Sequence, residues 1–322
     1  MFRPLFSLLS PAGSRARLSI LIFHRVLQER DPLFPGEVTA AEFDAICRWL
    51  KEWFDVLPLA EAVHRLRDRN LPRRSLSITF DDGYADNHEL AMPVLRKHGL
   101  TATFFVATQF LDGGRMWNDT VIESIRRTRR REITLAGSAA GSVGNLRCET
   151  LEDRQTAIAR LIGATKYLPQ AERDAWVRAV ELACEAELPD DLMMTSEMVR
   201  SLRRGGQDIG AHTSSHPILA RLEPSAIEAE IRLGRDRLEE ITDARVPLFA
   251  YPNGKPGSDY TSTAVEIVRS LGFDAAVSTA WGSASVNSKL FELPRFTPWD
   301  RTRTRFALRM AKNLMSAQVA QP

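Results

Sequence analysis

Short apolar runs recur along this chain, and stretches with helical apolar spacing lie between them. Residues 18–23, 75–80, 101–106, 207–211 and 246–251 read as buried strands, with shorter ones near 274–277 and 291–295. Residues 40–53 carry Phe43, Ile46, Trp49 and Leu50 at helical spacing, and 59–69, 87–98, 224–241 and 260–271 read as further helices. Gly99 follows the 87–98 stretch as a helix stop. Strands alternating with helices predict a parallel sheet with helices outside, either closed as a barrel or doubly wound.

From 112 to about 204 the alternation stops. Residues 118–131, 151–168 and 171–188 read as helices, and only 132–135 reads as a strand. One strand–helix repeat needs about 30 residues, so roughly 90 is too long for a simple crossover. The stretch is predicted to be a mainly helical insertion on the rim, where such segments shape access to a site. The 322 residues are otherwise read as a single domain.

The 44% apolar and 26% charged composition is that of a globular protein, and a net charge of +2 gives no field for nucleic acid. Cys47, Cys148 and Cys184 are far apart and lack metal spacing, which suits a reducing, cytoplasmic compartment. No run approaches 18 apolar residues. The apolar core of residues 1–11 is too short for a signal peptide, and the stretch reads as an uncleaved start, with a short peripheral membrane anchor as the alternative.

Two basic stretches stand out. Arg126–Arg131 reads as a solvated helix face, with contact to a phosphate-bearing or acidic glycan carrier as the sharper alternative. Residues 300–315 place Arg301, Arg303, Arg305, Arg309 and Lys312 beside a stripe of Phe306, Met310 and Leu314. They read as a surface helix packed on the barrel, with peripheral contact to an anionic membrane as the alternative. Trp117, Trp281 and Trp299 are packing residues or platforms for sugar faces.

The 75–80 strand ends in Asp81-Asp82-Gly83. Two adjacent carboxylates raise each other's pKa unless a cation sits between them, which points to a metal, although an Asp-Gly turn alone has the same look. His212-Thr213-Ser214-Ser215-His216 puts two imidazoles four apart just past another strand, and Pro217 disfavours helix there, so the pair sits on a short turn. His24 follows the first strand. Three strands thus deliver ionisable groups to one sheet edge, the edge where α/β folds form their sites.

Thr79-Phe80-Asp81-Asp82-Gly83 followed by His212-Thr213-Ser214-Ser215-His216 resembles the polysaccharide deacetylase family, the NodB-homology group or carbohydrate esterase family 4. The resemblance covers about residues 18–110 and 205–297. It implies an irregular, partly opened (β/α)7 barrel that removes acetyl groups from N-acetylated sugars with one divalent metal. Carried over by motif, Asp81 is the base, and Asp82, His212 and His216 are the ligands, leaving an open position for water. Zinc is the first expectation, but two imidazoles and a carboxylate also suit cobalt, nickel or iron.

This chain departs from the family pattern in two places. Phe249-Ala250-Tyr251-Pro252-Asn253-Gly254 stands where the family has an Arg-Pro-Pro-Tyr-like segment, so Ala250 replaces the arginine that steadies the catalytic aspartate. Arg295 is the candidate to supply that charge from another strand. Tyr251 and Asn253 are the candidates for contact with substrate or oxyanion, the latter through a backbone N–H. No histidine follows His216, and Ile22-Phe23-His24-Arg25 resembles the branch with a Phe-His or Tyr-His near the N-terminus, which makes His24 the general acid. The implied partner is an N-acetylated glycan. A hydrolase of another non-peptide C–N bond and a non-catalytic glycan-binding barrel are the alternatives.

Overall fold

The computed structural model describes residues 2–135 and 143–316. Seven parallel strands follow one another around the sheet in chain order: β1 (Ser19–Phe23), β2 (Ser75–Phe80), β3 (Thr103–Val106), β4 (Asp208–Ala211), β5 (Leu248–Ala250), β6 (Ala275–Trp281) and β7 (Leu293–Arg295). The two-residue strand Asp55–Val56 also pairs with the start of β2. Pairing is regular from β1 to β4, thin between β4 and β5, and shifted in register between β6 and β7. A parallel bridge between Leu21 and Phe296 brings β7 round to β1 and makes the sheet a nearly closed barrel. The Phe296 N–H donates to the Ile20 carbonyl at 2.9 Å, and the Ile22 N–H to the Phe296 carbonyl at 3.1 Å.

Side-chain alternation sorts each strand between two layers. Phe23, Phe80 and Phe104 point outward and stack at centroid distances of 5.4 and 5.0 Å beneath the surrounding helices. Burying a ring of this kind contributes about 1.5–3 kcal/mol. Ile20, Phe105, Leu248, Val277 and Leu293 fill the inside. On β2 the inward positions are Ser77 and Thr79, both buried, and they leave the barrel interior polar beside the strand that carries the two aspartates. Helix Leu59–Arg67 closes the N-terminal end of the barrel, with a backbone contact to Asp208 and a contact between His64 and Asp274. Every C-terminal strand end therefore faces the opposite side.

Local chemistry sets the helix limits. Helix Ala40–Trp53 begins on Thr39, whose hydroxyl accepts from the Glu42 N–H while Glu42 accepts from the Thr39 N–H. The helix expected over 87–98 divides into a wider π turn, Asn87–Ala91, and the α-helix Met92–His98, which Gly99 ends at φ +63°.

The insertion comprises helices Trp117–Arg127, Leu151–Thr165 and Gln170–Cys184 around their own core of Val121, Ile125, Ile158, Leu161, Trp176 and Val180. It also holds an antiparallel pair, Glu132–Thr134 with Asn145–Arg147, whose second strand the sequence reading missed. Helix Ser196–Arg204 fell inside the expected insertion, yet Val199 and Leu202 pack into the main core. Helix Arg303–Met315 turns its Phe306, Met310 and Leu314 stripe into that core as well, so the stripe is not a free apolar face. The basic run is mostly paired: Arg126 with Asp31 and Glu123, Arg127 with Glu123, Arg130 with Glu185, and Arg131 with Glu149. All three cysteines are buried and free. Among the described residues no helix is long and apolar enough to cross a membrane.

Candidate active site

The loop after β2 places the two aspartates. Asp82 adopts φ +76° and Gly83 φ +94°, and a side chain at 83 would meet Val106 Cγ1 at 2.9 Å. This tight left-handed turn points the neighbouring carboxylates in different directions.

Asp81 turns into the barrel. Arg295, 1% exposed, donates to both of its oxygens, at 2.7 Å from Nη1 and 2.6 Å from Nη2. The same guanidinium donates to the Ser278 carbonyl and the Thr79 hydroxyl, so it is fixed on three sides. Burial pushes Asp81 upward most strongly, but the charge and hydrogen bonds of Arg295, with the nearby His212 and His24, together outweigh it and hold the carboxyl below its ordinary range. The position occupied by Ala250 is thus compensated from β7. Arg295 does not line the cavity, so it braces Asp81 rather than reaching a substrate.

Asp82 faces outward into a cavity of about 350 Å³. Its Oδ1 lies 3.4 Å from Nε2 of both His212 and His216, and the three ligand atoms cluster within 4.8 Å. A metal held tetrahedrally at about 2.0–2.1 Å from each ligand sets them roughly 3.3–3.4 Å apart, so this spacing suits a single ion. The His212 ring nitrogen Nδ1 lies 2.7 Å from the Ala250 carbonyl, a contact that fixes this nitrogen as donor and frees Nε2 to ligate. The residues present therefore fit a divalent metal.

Burial raises the Asp82 carboxyl, but the two imidazoles reverse this and bring it well below its usual range. Burial lowers His212, and the Asp82 and Asp81 carboxylates more than restore it, whereas His216 is pushed down to about 4. His216 beside the ionised Asp82 is thus in the protonation state that binds metal, whereas His212 would release its proton on metal binding.

The turn that carries the histidines is braced from outside. Thr213 and His216 both take positive φ, and the Thr213 hydroxyl accepts from the His216 N–H at 3.1 Å. Glu230 accepts from the N–H groups of Ser214 and Ser215 and from the Ser215 hydroxyl. Gly234 lets helix Pro224–Thr242 approach, since a Cβ there would lie 2.4 Å from the Thr213 carbonyl oxygen.

His24 is exposed and lines the same cavity as the aspartates and the histidine pair. Asn87 donates to its backbone carbonyl at 2.8 Å, and Asp86 holds Arg25 at 2.8 Å and the Val26 N–H at 3.1 Å. Asp86 and Asn87 thus fix the segment that carries His24, a role the sequence reading did not assign. They follow Gly83-Tyr84-Ala85 directly, and that proximity was the available signal. Asn253 lines the cavity at φ +56°, and its backbone N–H makes no hydrogen bond among the described residues.

Tyr251 is a correction. It is fully buried, stacks on Tyr260 at 3.8 Å, and spends its hydroxyl on the Phe291 carbonyl and its N–H on Val277. Strand alternation turns it into the core, so it contacts neither substrate nor oxyanion.

The insertion forms the opposite wall with Trp117, Asp119, Ile122, Glu123, Arg126 and Ile162. Of these, Asp119 is 4% exposed and accepts from the Tyr84 hydroxyl at 3.1 Å. Burial pushes its carboxyl up to about 7.

At the C-terminal end of a parallel barrel, a carboxylate gripped by arginine thus stands beside a carboxylate and two histidines that could hold a metal ion. The family profile described as "Polysaccharide deacetylase" matches residues 68–139 and 162–276, and the chain belongs to that family. It is therefore a hydrolase of carbon–nitrogen bonds other than peptide bonds. YxkH of Bacillus subtilis (strain 168), which carries a polysaccharide deacetylase name, is 21% identical over 282 residues, 87% of this chain and 71% of that protein. IcaB from Ammonifex degensii superposes with a TM-score of 0.59 at 19% identity, over 95% of this chain and 99% of that one. The Streptococcus pyogenes deacetylase PplD, solved with acetate, gives 0.58 at 19% identity, over 88% and 92%. At these identities the two structural likenesses are likenesses of fold.

Proposed function

We propose that the chain hydrolyses the acetamide of an N-acetylated sugar in a polysaccharide or glycan precursor, with one divalent ion, zinc first, held by Asp82, His212 and His216. The convergence of those three ligand atoms beside the arginine-braced Asp81 carries the reading. When bound, such an ion polarises the acetamide carbonyl and makes water a better nucleophile at neutral pH.

The chain's own groups supply the rest. Asp81 is kept ionised and oriented by Arg295, so it is ready to take the proton of the attacking water. The Asn253 N–H, which makes no hydrogen bond among the described residues and belongs to the wall of the same cavity, is the donor assigned to the oxyanion. His24, exposed and lining the same cavity, is assigned to protonate the departing amine. The test is acetate release from a panel of N-acetylated sugars and oligomers. Wild type releases acetate from at least one of them and Asp81→Asn does not. Comparable release by Asp81→Asn removes the base assignment, and hydrolysis of a non-glycan amide alone removes the glycan.

A further inference from the structure

The insertion contains a buried cation that the reaction does not use. Arg173 sits in the first turn of helix Gln170–Cys184 and is only 4% exposed. Its Nε has no hydrogen-bond partner, and although the neighbouring Asp174 carboxylate attracts it, no carboxylate among the described residues forms an ion pair with it. The other deeply placed guanidinium near the site, Arg295, is hydrogen-bonded at all three nitrogens. An uncompensated buried charge is strongly unfavourable. A cation at a helix N-terminus is unfavourable again, because that end is already positive. The Trp117 ring, 5.3 Å from the guanidinium carbon, offsets part of this through a cation–π contact. The arrangement is one that an anion would complete.

Space for an anion is present. Arg173, Arg115, Arg178, Gln170, Trp117 and Ser215 line a second cavity of about 230 Å³. Asp174 and Glu181 line it too, and Glu181 stands 3.9 Å from Arg115, so three guanidinium groups face two carboxylates. Gln170 is the first residue of its helix, and Pro169 before it gives no side-chain cap, so the N-terminal N–H groups of a 15-residue helix are available beside Arg173. Two residues tie this cavity to the catalytic one. Trp117 lines both, and Ser215 lies in the turn between His212 and His216.

We propose that the second cavity is an anion subsite that takes a phosphate or carboxylate group borne by the glycan, with Arg173 as its main donor. The substrate-borne part rests on the deacetylase reading; the anion site itself does not. The test is binding to the intact protein, read by calorimetry and thermal shift without turnover. The probes are an N-acetylglucosamine oligomer, the same oligomer carrying a phosphate, and inorganic phosphate. Wild type should bind the phosphorylated oligomer about tenfold more tightly than the neutral one, as a charge-assisted contact gives. Arg173→Met should erase that difference, leave neutral-oligomer binding unchanged and raise the melting temperature of the free protein. Arg173→Lys keeps the charge without the fork and should keep part of the preference.

Equal binding of the two oligomers by wild type, or a lower melting temperature of free Arg173→Met, overturns the proposal. Inorganic phosphate binding as tightly as the phosphorylated oligomer overturns its substrate-borne part. If neither oligomer binds while inorganic phosphate stabilises wild type and not Arg173→Met, the glycan reading fails and the anion site stands.

Discussion

Replacing Arg295 with methionine leaves Asp81 as a charge without a partner at 3% exposure. Removing one member of a buried pair costs about 3–5 kcal/mol, whereas replacing both members is often close to neutral. The Thr79 hydroxyl and Ser278 carbonyl also lose their donor, worth about 1 kcal/mol each. Arg295→Met should therefore lose about 5–7 kcal/mol in urea unfolding near neutral pH, and Asp81→Asn/Arg295→Met should recover most of it. The pH dependence has a definite sign. Burial raises Asp81, and Arg295 with the nearby His212 and His24 more than reverses it, so in wild type the ionised pair stabilises the fold above the unfolded carboxyl value of about 3.9. That contribution is lost as pH falls through the lower folded value. In Arg295→Met the strongest charge opposing burial is gone and the carboxyl protonates more readily, so the deficit should shrink on acidification. If the single losses simply add in the double variant, the two side chains are uncoupled and the reasoning is refuted.

The folded Asp119 carboxyl is raised to about 7, so its penalty is absent below about pH 4 and complete above about pH 7. Asp119→Asn, which can still accept from Tyr84, should gain stability over wild type through that window, by about 4 kcal/mol at most; a difference constant with pH in urea midpoints contradicts this. His24→Ala should keep its metal and lose about 10²–10⁴ in rate, and loss of the ion instead recasts His24 as a ligand. Glu230→Ala frees the turn that carries both histidines and should weaken metal binding about 10–100-fold in chelator competition, whereas unchanged affinity shows that the turn holds itself.

The sequence made the barrel legible because parallel strands, covered on both sides, read as short apolar runs. Leu76, Ile78 and Phe80 announced β2 in this way. The Asp81-Asp82 and His212–His216 pairs were legible because each is local in sequence and each follows a strand. Contacts across the barrel left a fainter trace. Arg295 reaches Asp81 over 214 positions, and only the missing arginine at Ala250 hinted that another was needed. Tyr251 misled because Asn253, two residues on, does line the cavity; the chain has left the strand by then, and Asn253 takes φ +56°, a turn that apolar spacing does not report. Within the insertion, Asp119 and Arg173 looked like ordinary charges on helical stretches. What sets them apart is burial by a second packed layer, which periodicity in one helix does not report.

The most direct measurement is the metal content of the purified protein beside that of His212→Ala/His216→Ala. The account predicts one tightly bound divalent ion per chain in wild type and none in the double variant. Wild type that binds no ion after zinc is supplied, or a double variant that keeps its ion, contradicts it.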